Sequence, residues 1–244
     1  MSQAEIVREV LDGIAMPTGK ETVYFPKWKG SPIKCYGDYK GRGFVANLDH
    51  RQMTLLGQEV SKKVGERYTL LPLQASYNLA RKDKNFKKMN VDYWLHCREV
   101  VREAGEILPD PAVVEVGGEL KYDGKIIKAV INESDVFDTL MKAGLFKEPK
   151  KRAYRGSICF ENGEASVWSY WYSDEGCFFA AAGIPSVRND YAVVALLKTD
   201  EKAEFSEKPK MRKIAESEYR ALLADSKKLK EMRRILKMFK PYLD

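Results

Sequence analysis

A run of aromatic and basic side chains, residues 20–44, offers the clearest binding chemistry in this sequence. Cations attract phosphate groups, and aromatic rings stack on unpaired bases, so nucleic acid, single strands especially, suits this mixture. Only Glu21 and Asp38 oppose the positive charge. The candidate binding residues are Lys27, Trp28, Lys29, Lys34, Tyr36, Tyr39, Lys40, Arg42 and Phe44. The same pattern is typical of strands that bury their aromatic rings and expose their lysines, and the sequence leaves both interpretations open.

Residues 40–46, KGRGFVA, partly resemble the aromatic strand motif of RNA-recognition domains. The matching positions are Lys40, Gly41, Gly43, Phe44 and Val45. Arg42 stands where the first stacking aromatic belongs, and Asn47 takes the place of the last. The companion strand and helix of that family are absent upstream, so the resemblance does not assign the chain to it.

A basic amphipathic helix is predicted near the end of the chain, residues 226–240. Residues 202–244 hold thirteen Lys or Arg and seven Asp or Glu, so they carry +6 of the chain's net charge of +7. The candidate phosphate-binding residues in this helix are Lys230, Arg233, Arg234 and Lys237. Such a helix suits phosphate backbones or an acidic protein partner, although a solvated charged face would have the same composition.

A second aromatic segment, SVWSYWY, is predicted to be a strand. Alternation places Trp168, Tyr170 and Tyr172 on one face, with Val167 and Trp171 on the other. The basic residues 147–155 precede it closely in the chain, so a stacking surface beside a cationic groove is one interpretation. Apolar character on both faces favours the other, a central buried strand.

Lys121 raises the possibility of a nucleotide-attaching enzyme. The stretch from Glu119 to Gly124, ELKYDG, resembles the lysine motif of DNA ligases, RNA ligases and capping enzymes. That resemblance implies that Lys121 attacks a nucleotide α-phosphate, with Glu175-Gly176 and Lys198 as later motifs. The spacing to Glu175 is short for that fold, and Ile126, which follows Lys125, stands where the motif has Arg. A two-residue hairpin turn at Asp123-Gly124 explains the same residues, and we favour it.

Other catalytic and metal-binding patterns are missing from the sequence. The four cysteines form no C-x-x-C pair, and His50 and His96 are the only histidines, so we expect no metal and no cofactor. Residues 13–21, GIAMPTGKE, lack the spacing and the Ser/Thr of a phosphate-binding loop. Unpaired histidines of this kind are more often structural than catalytic.

The elements that position these residues are predicted from capping and periodicity. Helices are expected from Ser2 to Gly13, from Asp49, from Asn90 to about Leu108, and over residues 134–143. Between residues 112 and 199 a series of short strands is separated by turns. The predicted fold is α+β, with a helical N-terminal part, a largely antiparallel sheet in the middle and a basic helical C-terminus. The expected regions are 1–108, 112–200 and 201–244, which could pack as one domain.

The function predicted from the sequence is nucleic-acid binding, to DNA or RNA, through residues 24–44 and the basic terminal helix. The alternatives are a nucleotide-dependent enzyme with Lys121 as nucleophile, and an interaction or regulatory protein that docks on an acidic partner. The polar N-terminus and the short apolar runs predict a soluble, cytoplasmic protein with no membrane partner.

Overall fold

The computed structural model describes residues 2–13, 27–28, 31–36, 48–92, 94–147, 153–154, 156–172, 177–188 and 192–199. All of them belong to one compact unit, Met1–Ala203. The predicted basic terminal helix lies outside the described residues.

Five helices occur among the described residues: α1 (Gln3–Gly13), α2 (His50–Val64), α3 (Leu73–Lys82), α4 (Lys84–Asp92) and α5 (Val136–Lys142). Local capping explains where the first two begin. In α1 the backbone amide of Glu5 donates to the Ser2 hydroxyl and the Ser2 amide donates to Glu5. In α2 Asp49 and Gln52 form the same reciprocal box. The sequence predicted the box of α1 and, for α2, a start near Asp49.

The strands in the described part of the chain are β1 (Lys27–Trp28), β2 (Ser31–Tyr36), β3 (Tyr68–Leu70), β4 (Trp94–Arg102), β5 (Glu106–Leu108), β6 (Ala112–Val116), β7 (Glu119–Asp123), β8 (Ile127–Lys128), β9 (Ala153–Tyr154), β10 (Glu164–Tyr172), β11 (Cys177–Gly183) and β12 (Ala192–Lys198). The main sheet has the order β1-β2-β12-β4-β10-β11-β9, with β3 on β12 and β5 between β4 and β8. Its pairs are antiparallel except β12–β4 and β11–β9. The predicted α+β class with a largely antiparallel sheet is confirmed.

Two hydrophobic cores lie on opposite faces of this sheet. On one face α3, α4 and α5 pack over Leu95, Val101, Val167 and Phe178. On the other face α2 packs over Val100, Leu108, Val194 and Leu196, and α1 and the β6–β7 hairpin complete that layer. Alternation along the strands separates these two sets of residues, because successive side chains point to opposite faces.

The β6–β7 hairpin is fixed to the helices along both of its edges by glutamine side chains. The Gln58 amide accepts from the Val113 N–H at 2.7 Å and donates to the Val113 carbonyl at 3.1 Å. The Gln3 side chain accepts from the Leu120 N–H at 3.3 Å. These hydrogen bonds satisfy backbone groups that would have no protein partner in an isolated two-stranded ribbon.

Two of the predicted elements are wrong. Residues 94–102 and 106–108 form antiparallel strands where the sequence predicted a helix from Asn90, because both faces of β4 are buried between partners. The hairpin turn is Gly117-Gly118, with φ of 64° and 85°, and not Asp123-Gly124. The chain after Gly124 pairs instead with β5, where Ile127 lies opposite Ile107.

Candidate ligand-binding face

Five aromatic side chains lie together on one face of the main sheet, at the end where β4 begins and β10 ends. We call this set the aromatic face. Its members are Trp94 from β4, Trp168, Tyr170 and Tyr172 from β10, and Phe179 from β11. Alternation puts the three β10 residues on one face, and pairing places Phe179 directly opposite Tyr170. A bulge in β4 leaves His96 opposite Trp168. Trp94, two residues before His96, is therefore the next β4 side chain on this face.

The rings of the aromatic face contact one another from strand to strand. Trp94 and Trp168 are stacked, with centroids 4.4 Å apart and planes 7° apart. Tyr170 meets Trp94 edge-on at 6.4 Å and Tyr172 edge-on at 5.4 Å. Trp168 also contacts Phe179 at 5.4 Å. Stacked and edge-on contacts are both favourable geometries for aromatic pairs, and together they join the five rings into a continuous surface.

Solvent reaches this surface, unlike the opposite side of the same strand. Trp94 is 38% exposed and Tyr172 is 47% exposed, whereas Trp171 is 7% exposed and Val167 is fully buried. The other three rings are half-buried and belong to neither hydrophobic core. β10 is a central strand, as the favoured interpretation predicted, but only its face with Trp171 belongs to a hydrophobic core.

Basic side chains lie near the same end of β10 but on the opposite face of the sheet, where α3 and α4 pack. The Lys87 ammonium lies 4.1 Å from the centre of the Trp171 ring, and Trp171 stands between Tyr170 and Tyr172 in the strand. The end of α3 and the start of α4 add exposed cations, namely Arg81, Lys82 and Lys84. Helix α4 then ends close to Trp94 in the chain, since one residue separates the two elements.

A buried polar cluster lies further along the same face of the sheet, beneath α2. The His50 Nε2–H donates to the Cys97 carbonyl at 2.7 Å, so Nδ1 accepts from the Tyr122 hydroxyl at 2.7 Å. The His96 ring lies 5.7 Å from the His50 ring. Burial lowers the pKa of His50 to about 3 and the pKa of His96 to about 4, so both rings are neutral near pH 7.

The two histidines are structural in this arrangement. His50 is fully buried and His96 is 5% exposed, and a general base must reach its substrate. Sequence reasoning treated them as unpaired, but the fold brings them together. Next to them Arg51 pairs with Glu164 at 3.0 Å and lies over the Tyr122 ring at 4.9 Å. The cluster thus ties α2 and β7 to β4 and β10.

Two residues of the ligase-like pattern, Lys121 and Lys198, lie in different sheets. Lys121 is exposed on the β6–β7 hairpin, opposite Val114. Lys198 lies in the main sheet, where its Nζ is 2.5 Å from Glu66 Oε1. Glu175 and Gly176 lie outside the described residues. The geometry adds no support to Lys121 as a nucleophile, and that function stays a prediction.

The candidate residues of the first aromatic segment are placed only by their strands. Lys27 and Trp28 form β1, and Lys34 and Tyr36 belong to β2, which pairs with β12. Since β12 also pairs with β4, this segment joins the sheet that carries the aromatic face. Outside the described residues lie Lys29, Tyr39, Lys40, Arg42, Phe44, Lys230, Arg233, Arg234 and Lys237. Their roles stay predictions.

Sequence reasoning missed Trp94 and Phe179 as members of a site. Trp94 was hidden because its segment was assigned to a helix. The available signal was the alternation of Leu95, Cys97 and Val101, which are all buried on one face of β4. Phe179 stood next to Phe178 in an apolar run, and only the register with β10 separates the two faces.

Comparison of the chain with protein-family models, with curated proteins and with solved structures found no match. In the described part of the chain, no helix is both long and apolar enough to cross a membrane. Those same residues contain no group of three or more His, Cys, Asp or Glu side chains placed to hold a metal ion. Function must therefore be argued from the site itself.

Proposed function

We propose that this protein binds single-stranded nucleic acid and that the aromatic face stacks on its unpaired bases. The observation that carries the proposal is the exposure of Trp94 and Tyr172 on a sheet whose opposite side is closed by a core. Base–aromatic stacking contributes about 1–3 kcal/mol for each base and tolerates any sequence, because every base has a π-face. Double-stranded nucleic acid keeps its bases stacked internally, so it offers this surface only backbone.

Charge supports a polyanionic ligand over a neutral one. The chain carries a net charge of +7 and has a sequence pI near 9.0. Exposed Arg81, Lys82 and Lys84 belong to α3 and α4, which pack on the opposite face of the sheet, and the strands of the aromatic and basic segment 20–44 extend the sheet that carries the aromatic face. Phosphate neutralisation by such side chains releases counterions, so the affinity should fall as salt rises.

The test is fluorescence anisotropy of labelled single- and double-stranded oligonucleotides over a range of salt concentrations. We expect tighter binding of single strands and a linear fall of log affinity with log salt. Tyr172→Ala should weaken single-strand binding by about 5- to 150-fold, which corresponds to the loss of about 1–3 kcal/mol of stacking. The salt slope should stay nearly unchanged, because no phosphate contact is removed.

Matched variants separate stacking from general damage. Tyr172→Phe keeps the ring and should keep wild-type affinity. Val116→Ala changes a side chain of similar exposure, 43%, on the distant hairpin and should also bind normally. Equal affinity for Tyr172→Ala and wild type, or no binding by wild type at low salt, would refute the proposal.

A further inference from the structure

Gly183, the last residue of β11, lies beneath the indole of Trp168. A β-carbon at position 183 would stand 2.9 Å from Trp168 Nε1 and 3.7 Å from its Cδ1. Ordinary contacts between such atoms are about 3.5–4.0 Å, so any side chain there displaces the indole. Gly183 therefore allows the Trp168 ring to lie close over the neighbouring strand.

The position of Trp168 in turn fixes Trp94. The two rings are within 7° of parallel with centroids 4.4 Å apart, which is an offset stack in van der Waals contact. A base inserted between them would require a separation of about 7 Å, two contact distances. One face of Trp94 is thus covered by Trp168, while 38% of the side chain remains exposed to solvent.

We infer that the Trp94–Trp168 pair is a preformed stack whose outer Trp94 face takes one unpaired base, and that Gly183 is the positioning residue that holds this stack. The inference rests on the proposed nucleic-acid function and adds the place and mode of docking. A stack that exists before binding needs no ordering when the base arrives, so more of the stacking free energy appears as affinity.

The first measurement concerns the stack alone and needs no ligand. Two stacked indoles give an exciton couplet in the far-ultraviolet circular dichroism spectrum. We expect this couplet in the wild-type protein, its loss in Trp94→Phe and Trp168→Phe, and a graded loss through Gly183→Ala and Gly183→Val. A thermal unfolding curve for each variant separates a shifted ring from a misfolded chain. An unchanged couplet in a folded Gly183→Val protein would overturn the positioning role.

The second measurement couples the stack to binding of a labelled oligothymidylate. We expect Gly183→Val to weaken binding by about 5- to 150-fold, the same range as Trp94→Ala, with the salt slope preserved. The loss should largely disappear against a Trp168→Phe background, because the smaller ring leaves room at position 183. A merely structural role for Gly183 would give additive losses instead.

The two proposals fail in distinguishable ways. If the wild-type protein binds no single strand, both the proposed function and the docking of a base on Trp94 are refuted, whatever the couplet shows. If the wild-type protein binds normally and Gly183→Val binds equally well, the positioning role alone is refuted. If Trp94→Ala binds as tightly as wild type while Tyr172→Ala does not, the base docks elsewhere on the aromatic face.

Discussion

The carboxyl group of Glu99 gives the sharpest prediction about stability. Glu99 is 1% exposed in β4, and both of its carboxylate oxygens accept from the Leu73 N–H, at 3.0 and 3.2 Å. Leu73 begins α3, whose N-cap residue Pro72 offers no side-chain cap. Glu99 therefore caps a helix from a neighbouring strand, at the cost of burying a carboxyl group.

Burial raises the pKa of Glu99 to about 7 from its usual 4.5, and the nearby Arg98 guanidinium offsets only part of this effect. Between pH 4.5 and 7 the folded protein therefore holds a proton that the unfolded chain has released. Stability falls as the pH rises through this range and is level above it. A shift of about 2.5 pH units corresponds to about 3 kcal/mol at 1.36 kcal/mol per unit.

Glu99→Gln removes this titration while keeping an acceptor for the Leu73 N–H. We expect the free energy of unfolding of the variant, relative to wild type, to be about 3 kcal/mol larger at pH 8 than at pH 4.5, so the variant gains in relative stability. Urea unfolding at the two pH values measures the difference, and other titrating groups cancel because both proteins share them. Glu103→Gln, at an exposed position four residues after Glu99, serves as the control. An equal difference at both pH values for Glu99→Gln would show that this carboxyl does not titrate there.

Other predictions concern the histidine cluster and the hairpin. Because burial lowers the pKa of His50 and of His96, the unfolded chain binds more protons than the folded one below pH 6.5, so both residues make stability fall as the pH drops. In His96→Leu the loss of stability between pH 6.5 and 4.5, measured with urea, should be smaller by about 2–3 kcal/mol, and an unchanged loss would contradict this assignment. Gln58→Ala leaves the Val113 N–H and carbonyl without their partner and should cost about 1–3 kcal/mol. Hydrogen exchange at the Val113 amide should accelerate in that variant, whereas unchanged exchange would mean that Gln58 does not protect the hairpin edge.

Elements whose signals are local could be predicted from the sequence. The starts of α1 and α2 depend on side chains three residues apart, Ser2 with Glu5 and Asp49 with Gln52. The first box forms as predicted, and the second forms where a helix start was predicted. The short helix α5 begins after Asp135, whose carboxylate accepts from Phe137 N–H, and Gly144 follows its end with φ of 73°. Such features need no distant partner, so their residue types suffice.

Elements that depend on distant partners could not be predicted in the same way. The segment that became β4 and β5 contains both helix-forming and strand-forming residues, and pairing with β10 decided between them. Two dipeptides near the hairpin, Gly117-Gly118 and Asp123-Gly124, are both suited to a tight turn. The chain turns at the first of them. This turn places Tyr122 beneath α2, where its hydroxyl donates to His50.

The sequence by itself determined which side chains of β10 share a face, because strand alternation follows from backbone geometry alone. It therefore placed Trp168, Tyr170 and Tyr172 together before any fold was known. Only the tertiary structure decided that this face is open beside β4 while the face with Trp171 is closed by α3 and α4. The physical reason is that periodicity sets the direction of a side chain but not what packs against it. Whether an aromatic ring is core or a binding surface depends on the neighbours that the fold supplies.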